Sequence, residues 1–227
     1  MTAQSIQIGS RFCRIYGEAN AEYLLLQMTD QHELQSMDNE VAAIAQRTPQ
    51  FLFAAIPVEN WNDELSPWEA PAVWGRQGFG GKAADTLHFL TEQVIPTLKQ
   101  QFNLPETVKI ILGGYSLAGL FSLWASTQTN LFYGIAAASP SVWFPGWMEF
   151  EQQHPIHAQH VYLSLGDREE RTKNPVMATV GNNIRTLHSR LTECGKDCVL
   201  EWNNGGHFKE SDLRTAKAFQ WILEEHT

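Results

Sequence analysis

Cysteine is scarce in this chain: three in 227 residues, Cys13, Cys194 and Cys198. That is too few for a disulfide framework, and the Cys194/Cys198 pair has no second pair to complete a zinc site. A reducing compartment, the cytoplasm, is the expectation. Basic residues are also in short supply, 16 Lys and Arg against 25 Asp and Glu, for a net charge of −9. A surface of that sign repels nucleic acid and anionic membranes, so neither is an expected partner. No apolar run approaches the roughly 18 residues of a membrane-spanning helix. Residues 1–8 lack the basic-then-apolar order of a signal peptide. Linkers, repeats and low-complexity segments are absent as well, so residues 1–227 read as one domain.

What is present is an alternation of apolar strand-like runs with helical periodicity. Residues 12–16 and 23–28 read as early strands that form an antiparallel edge. Leu34, Met37, Val41 and Ile44 recur at helical spacing, and residues 51–58 follow as a buried strand. Leu87, Leu90, Val94, Leu98 and Phe102 mark a helix kinked at Pro96. Further strands are expected over 132–138, 161–166 and 198–202. Between the last two, Asn174 and Pro175 start a helix whose inner face is Val180, Ile184, Leu187 and Leu191. A closing helix runs from about 211 to 225. This order implies an α/β fold, a mainly parallel sheet with helices on both faces.

Within that frame one segment carries chemistry. Val108-Lys109-Ile110-Ile111-Leu112 leads into Gly113-Gly114-Tyr115-Ser116-Leu117-Ala118-Gly119 and then an apolar helix. A serine at the apex of a strand–turn–helix needs small residues two before and two after it, because the two backbones nearly touch. Gly114 and Ala118 meet that need, and Leu117 N–H lies behind the serine, where an oxyanion would form. The pattern arises by chance in roughly one chain of this length in several, so its partners decide. A serine hydroxyl needs a base, and the base needs an acid to fix its tautomer.

Both follow in the order serine, acid, histidine that α/β-hydrolase chains use. Val161-Tyr162-Leu163-Ser164-Leu165-Gly166 runs into Asp167-Arg168-Glu169-Glu170, and the strand at 199–202 ends in Asn203-Asn204-Gly205-Gly206-His207. Asp167, Glu169 and Glu170 all compete for the acid's place. His154, His157 and His160 cluster without a matching carboxylate or cysteine set, so solvated loops are expected there rather than a metal. The stretch 59–68 follows the third strand counted from the N-terminus, where this fold draws its second oxyanion amide, so Asn60 or Trp61 is the expected donor. Trp143, in the loop after the strand that follows the serine, is the expected substrate contact. For Trp61, Trp68, Trp143 and Trp147 the competing expectation, of equal weight, is that they are packing residues of long loops. Residues 139–159 are too few for a large lid.

The elbow, Ser139-Pro140-Ser141-Val142-Trp143, Gly166-Asp167-Arg168-Glu169-Glu170 and Gly205-Gly206-His207-Phe208 together resemble the family named Putative esterase, which includes esterase D and the enterochelin-type siderophore esterases. The resemblance spans roughly residues 50–227. It implies a single-domain α/β-hydrolase that cleaves a small-molecule carboxylic ester with Ser116 and His207, without metal or organic cofactor. The family's spacing from the strand glycine points to Glu169 as the acid. A thioesterase, a siderophore lactone esterase, a water-excluding acyltransferase and a non-catalytic binding module of the same fold remain open alternatives. For the siderophore reading, Arg76, Lys82, Arg168, Arg171 and Lys173 are the cations that would have to reach the pocket.

Overall fold

The computed structural model describes residues 1–46 and 50–224. Its centre is an eight-stranded sheet. The strands are β1 (Ala3–Ile8), β2 (Arg11–Tyr16), β3 (Tyr23–Thr29), β4 (Phe51–Pro57), β7 (Lys109–Tyr115), β8 (Gly134–Ala138), β9 (His160–Gly166) and β10 (Asp197–Asn203). The spatial order is β1-β2-β4-β3-β7-β8-β9-β10. A separate two-stranded ribbon pairs β5 (Glu69–Ala70) with β6 (Phe79–Gly80). The helices are α1 (Glu33–Ala45), α2 (Trp61–Glu64), α3 (Ala83–Phe89), α4 (Ile95–Gln101), α5 (Leu117–Gln128), α6 (Trp147–Gln153), α7 (Val180–Glu193) and α8 (Ser211–Leu223).

From β3 to β10 the sheet is parallel, and β3 is buried along its whole length. A strand covered on both faces must be apolar at consecutive positions, which Tyr23-Leu24-Leu25-Leu26 satisfies. Leu24, Leu26 and Met28 join one core with α5 and α7; Tyr23 and Leu25 join the other with α1 and α8.

The antiparallel edge differs in membership from the sequence expectation. It is the hairpin β1–β2 with β2 also antiparallel to β4, whereas residues 23–29 lie mid-sheet and parallel. β1 breaks the alternation with the consecutive polar residues Gln4 and Ser5 on an exposed edge, so it carries neither a period-two pattern nor an apolar run. The long helix around Pro96 is interrupted by a π-helical turn, Leu90–Val94, after which Pro96 occupies the first turn of α4. Helical backbone continues through this point, so the proline removes one donor from the ladder, and the register shift of the π turn lies immediately before it. Asn174 caps the 3₁₀ turn Met177–Thr179 that opens into α7, its Oδ1 accepting from Val176 N–H and Met177 N–H. The closing helix ends at Leu223, and residue 225 lies outside the described residues.

This topology positions the site. β3 and β7 are neighbours, yet β3 leads into α1 on one face and β7 into α5 on the other. Adjacent strands whose connections diverge leave a crevice outside their carboxyl ends, and Ser116 stands at the end of β7.

Two predictions follow from the packing. At the elbow, a Cβ on Gly114 would sit 2.6 Å from Ala118 Cβ. Gly114→Ala is expected to destabilise by about 1–3 kcal/mol, and thermal melting should show it as a fall of about 2–4 °C per kcal/mol; an unchanged Tm would mean the strand and helix separate freely. On the α1 face, Glu40 is buried, with Oε2 3.5 Å from Gln27 Nε2. Burial, then the neighbouring Glu33 and Asp212, push its carboxyl well above the usual range. Burial and Asp30 likewise raise Glu33 to about 8. The folded state therefore binds these protons more tightly than the unfolded chain does. Their stabilisation is complete below about pH 4.5 and is lost as pH rises toward 8 and beyond, at up to about 1.4 kcal/mol per pH unit per group. Relative to wild type, Glu40→Gln should gain Tm as pH rises from 5 to 8; a constant difference would contradict this.

Candidate active site

The elbow serine pays for its position in backbone strain: Ser116 has φ 57° and ψ −119°, a region that non-glycine residues occupy only when their surroundings hold them there. Three bonds do so. Ser116 N–H donates to Ala138 O at 3.1 Å, and its carbonyl accepts from Leu120 N–H and Ser141 N–H at 3.1 and 3.0 Å. The side chain is left partly exposed at the crevice. Leu117 N–H opens α5, so the helix makes no use of it.

His207 is brought over the serine by the glycine loop after β10. Gly205 takes φ 115°, its N–H donates to Asp167 Oδ1 at 2.8 Å, and its carbonyl accepts from Arg168 N–H at 3.1 Å. Tyr115, one residue before the nucleophile position, donates its hydroxyl to His207 O at 2.6 Å. His207 Nε2 then lies 2.9 Å from Ser116 Oγ, and Nδ1 lies 2.7 Å from Glu169 Oε2. The anionic acceptor assigns the proton to Nδ1 and leaves Nε2 free to accept from the serine.

The three competing acids are separated by their partners. Asp167 ties down the histidine loop. Glu170 forms a two-pronged ion pair with Arg185, at 3.0 and 3.1 Å. Glu169, with its side chain 5% exposed, faces His207. Its other oxygen, Oε1, accepts from Gly166 N–H at 2.7 Å, Ser139 Oγ at 2.8 Å and Arg214 Nη1 at 3.3 Å. Glycine is required at 166, where a Cβ would stand 2.4 Å from Gly205 O and 2.9 Å from Glu169 Oε1. Ser139, Tyr115 and Arg214 were not singled out as site residues from the sequence. Tyr115 belongs to the elbow motif and Ser139 to the Ser139–Trp143 motif, whereas Arg214 is one charged residue in a helix 45 positions from its partner, beyond any local pattern.

The stretch expected to hold the second oxyanion amide follows the fourth strand, since β1 precedes the three read from the sequence, and β3 stands between it and the elbow strand. Asn60 N–H is already committed to Glu64 Oε1 at 2.7 Å, and Trp61 opens the short helix α2 on the same segment.

A cavity of about 260 Å³ opens beside His207, walled by Trp143, Arg168, Arg171, Met177 and Phe208 among others. Trp143 meets Trp74 edge-on at 5.7 Å, and Phe208 is 94% exposed. Trp147 is fully buried, and Trp68 packs against Phe144 and Phe150, so these two are packing residues. Of the five cations named above, Arg168 and Arg171 line the cavity, whereas Lys82 faces Asp63 at 3.9 Å in a different one. His160 pairs with Asp197 at 2.9 Å, and His154 stacks on Phe150. Among the described residues no group of three or more His, Cys, Asp or Glu side chains is arranged to hold a metal ion, and no helix is long and apolar enough to cross a membrane.

Known proteins share this architecture. The chain is 30% identical over 196 residues to the uncharacterized protein YbbA of Bacillus subtilis, covering 81% of this chain and 77% of that one. An IroE-like serine hydrolase from Shewanella oneidensis superposes with a TM-score of 0.79 at 15% identity, over 97% of this chain and 79% of its own. The siderophore hydrolase EstB of Aspergillus nidulans gives 0.74 at 16%, over 97% and 93%. The enterobactin esterase FES of Shigella flexneri, crystallised with enterobactin, gives 0.74 at 16%, over 98% of this chain and 59% of that longer one. At such identities the likeness is one of fold. The profile of the Putative esterase family matches residues 39–207, and with that match over most of its length the chain belongs to the Putative esterase family, serine hydrolases of the α/β-hydrolase fold.

Proposed function

We propose that the protein hydrolyses short, soluble carboxylic esters through a Ser116–His207–Glu169 triad. The observation that supports this reading most is the unbroken hydrogen-bond chain from Ser116 Oγ through both imidazole nitrogens to Glu169. Ser116 Oγ attacks the acyl carbon as His207 Nε2 takes its proton. The imidazolium so formed is stabilised by Glu169 and returns the proton to the leaving alcohol. Leu117 N–H holds one side of the oxyanion. The second amide comes from the chain leaving β3, within residues 28–32, since that turn borders the elbow strand in the sheet. Water, deprotonated by His207, then attacks the acyl-enzyme and frees the acid.

A second reading, a siderophore-type lactone esterase, is favoured by one feature. Arg168 and Arg171 give an otherwise acidic molecule a cationic wall beside Trp143 and Phe208. Catecholates are both anionic and aromatic, and such a wall suits them.

Two measurements test the proposal. Ser116→Ala and His207→Ala should each lower kcat on p-nitrophenyl acetate by several orders of magnitude, with the double variant little worse than either single one. Near-wild-type activity in Ser116→Ala at matched circular dichroism would refute the assignment. The cavity beside His207 is walled in part by Arg168, Glu169 and Arg171 and opens past the exposed Phe208, which leaves little apolar wall for a long acyl chain, and each methylene is worth about 0.8 kcal/mol only when buried. Across p-nitrophenyl esters, kcat/KM should therefore peak at about two to six acyl carbons, without a jump above the critical micelle concentration. A steady rise through C12 and C16 would contradict it, and a triscatecholate lactone cleaved far faster than any ester of the series would establish the second reading instead.

A further inference from the structure

Arg214 sits on α8, 2% exposed. Its Nη1 donates to Glu169 Oε1 at 3.3 Å and to Tyr115 Oη at 3.1 Å, and its Nη2 donates to Asn204 O at 3.2 Å. Its Nε is buried without a partner among the described residues. A guanidinium so enclosed is a poor stabiliser, because desolvation offsets most of what the ion pair returns. Its partners, however, belong to both ends of the acid–base pair. It holds the oxygen of Glu169 that His207 does not use, and through Tyr115 Oη it reaches His207 O.

We infer that Arg214 is a positioning residue that holds the Glu169–His207 pair in register and, through its charge, sets the pH at which the site becomes active; the inference rests on the triad reading above. The geometric part is direct. With Oε1 held by Gly166 N–H, Ser139 and Arg214, Oε2 has one orientation, toward Nδ1. The electrostatic part follows from sign. A buried positive charge on the far side of Glu169 disfavours a second positive charge on the imidazole, and its removal favours the imidazolium. Other ionisable groups border the pair. Tyr115 comes from β7. Asp167, Arg168, Glu170 and Arg171 come from the turn after β9, and Lys209 lies against Gly205. Asp167 is exposed and bound to the Gly205 amide, Glu170 is paired with Arg185, and Arg168, Arg171 and Lys209 are exposed. Arg214 is the buried cation of the set.

The test is the pH dependence of kcat/KM on p-nitrophenyl acetate for wild type, Arg214→Gln, Arg214→Met, Arg214→Lys and Tyr115→Phe, with Tm recorded for each. Neutral replacement removes the opposing charge, so the imidazole holds its proton to higher pH and the ascending limb moves up by about one unit. Arg214→Lys keeps the charge and should leave the limb within about 0.3 units of wild type on the same argument. Tyr115→Phe keeps the charge but cuts the bridge to His207 O, so kcat falls several-fold while the limb stays in place. Variants that lose stability but keep the wild-type limb would reduce Arg214 to a structural role and overturn the inference. So would an equal displacement in Arg214→Lys, or failure of both neutral variants to fold while the lysine variant folds with the limb unmoved. An inactive wild-type enzyme would instead strike the triad reading itself.

Discussion

The carboxylate of Glu169 accepts hydrogen bonds on both oxygens from four separate parts of the chain. Gly166 N–H comes from the end of β9, Ser139 from the end of β8, Arg214 from α8 and His207 from the loop after β10. Hydrogen bonds to a charged group are worth about 1.5–3 kcal/mol each, and a buried charge that loses a partner bears the desolvation cost. The carboxylate thus acts as a clasp across the carboxyl ends of the sheet. The histidine loop has no regular structure of its own and takes its shape from this clasp, from the Asp167 bond to Gly205 N–H and from the Tyr115 bond to His207 O.

Around the clasp, strain is concentrated where the chemistry needs it. Ser116 and Ser139 are both non-glycine residues at positive φ, 57° and 43°. They are linked by backbone as well, since Ala138 O accepts Ser116 N–H. Ser116 is strained so that its hydroxyl projects into the crevice, and Ser139 so that its hydroxyl turns back to Glu169. Such conformations cost about 1–3 kcal/mol each. The buried apolar stretches of β3, β4 and β7 and the two cores on either face of the sheet supply the rigidity that holds them.

Much of this was legible in the sequence because the carrying signals are local. The elbow reads from seven consecutive residues, the glycine loop from five, and the central strands from unbroken apolar runs. The failures came where the decisive interaction is between distant residues or where an element is half exposed. β1 lies half exposed on a sheet edge and carries no apolar run, so the strand before Asn60 and Trp61 reads as the third from the sequence and is the fourth in the structure. Three carboxylates within four positions are separated in the sequence only by the family's spacing, which points to Glu169. The fold directs Glu170 to Arg185, Asp167 to Gly205 N–H and Glu169 to His207. Arg214 belongs to a helix far along the chain, and its sequence neighbourhood says nothing of the carboxylate it meets.

The central claim is that Ser116, activated by His207, becomes covalently acylated. The most direct measurement is intact-mass and peptide mass spectrometry after exposure to a fluorophosphonate. The account predicts one adduct per chain, on Ser116, with labelling slowed by several orders of magnitude in His207→Ala. Labelling of a different serine, or equally fast labelling of Ser116 in His207→Ala, would contradict it.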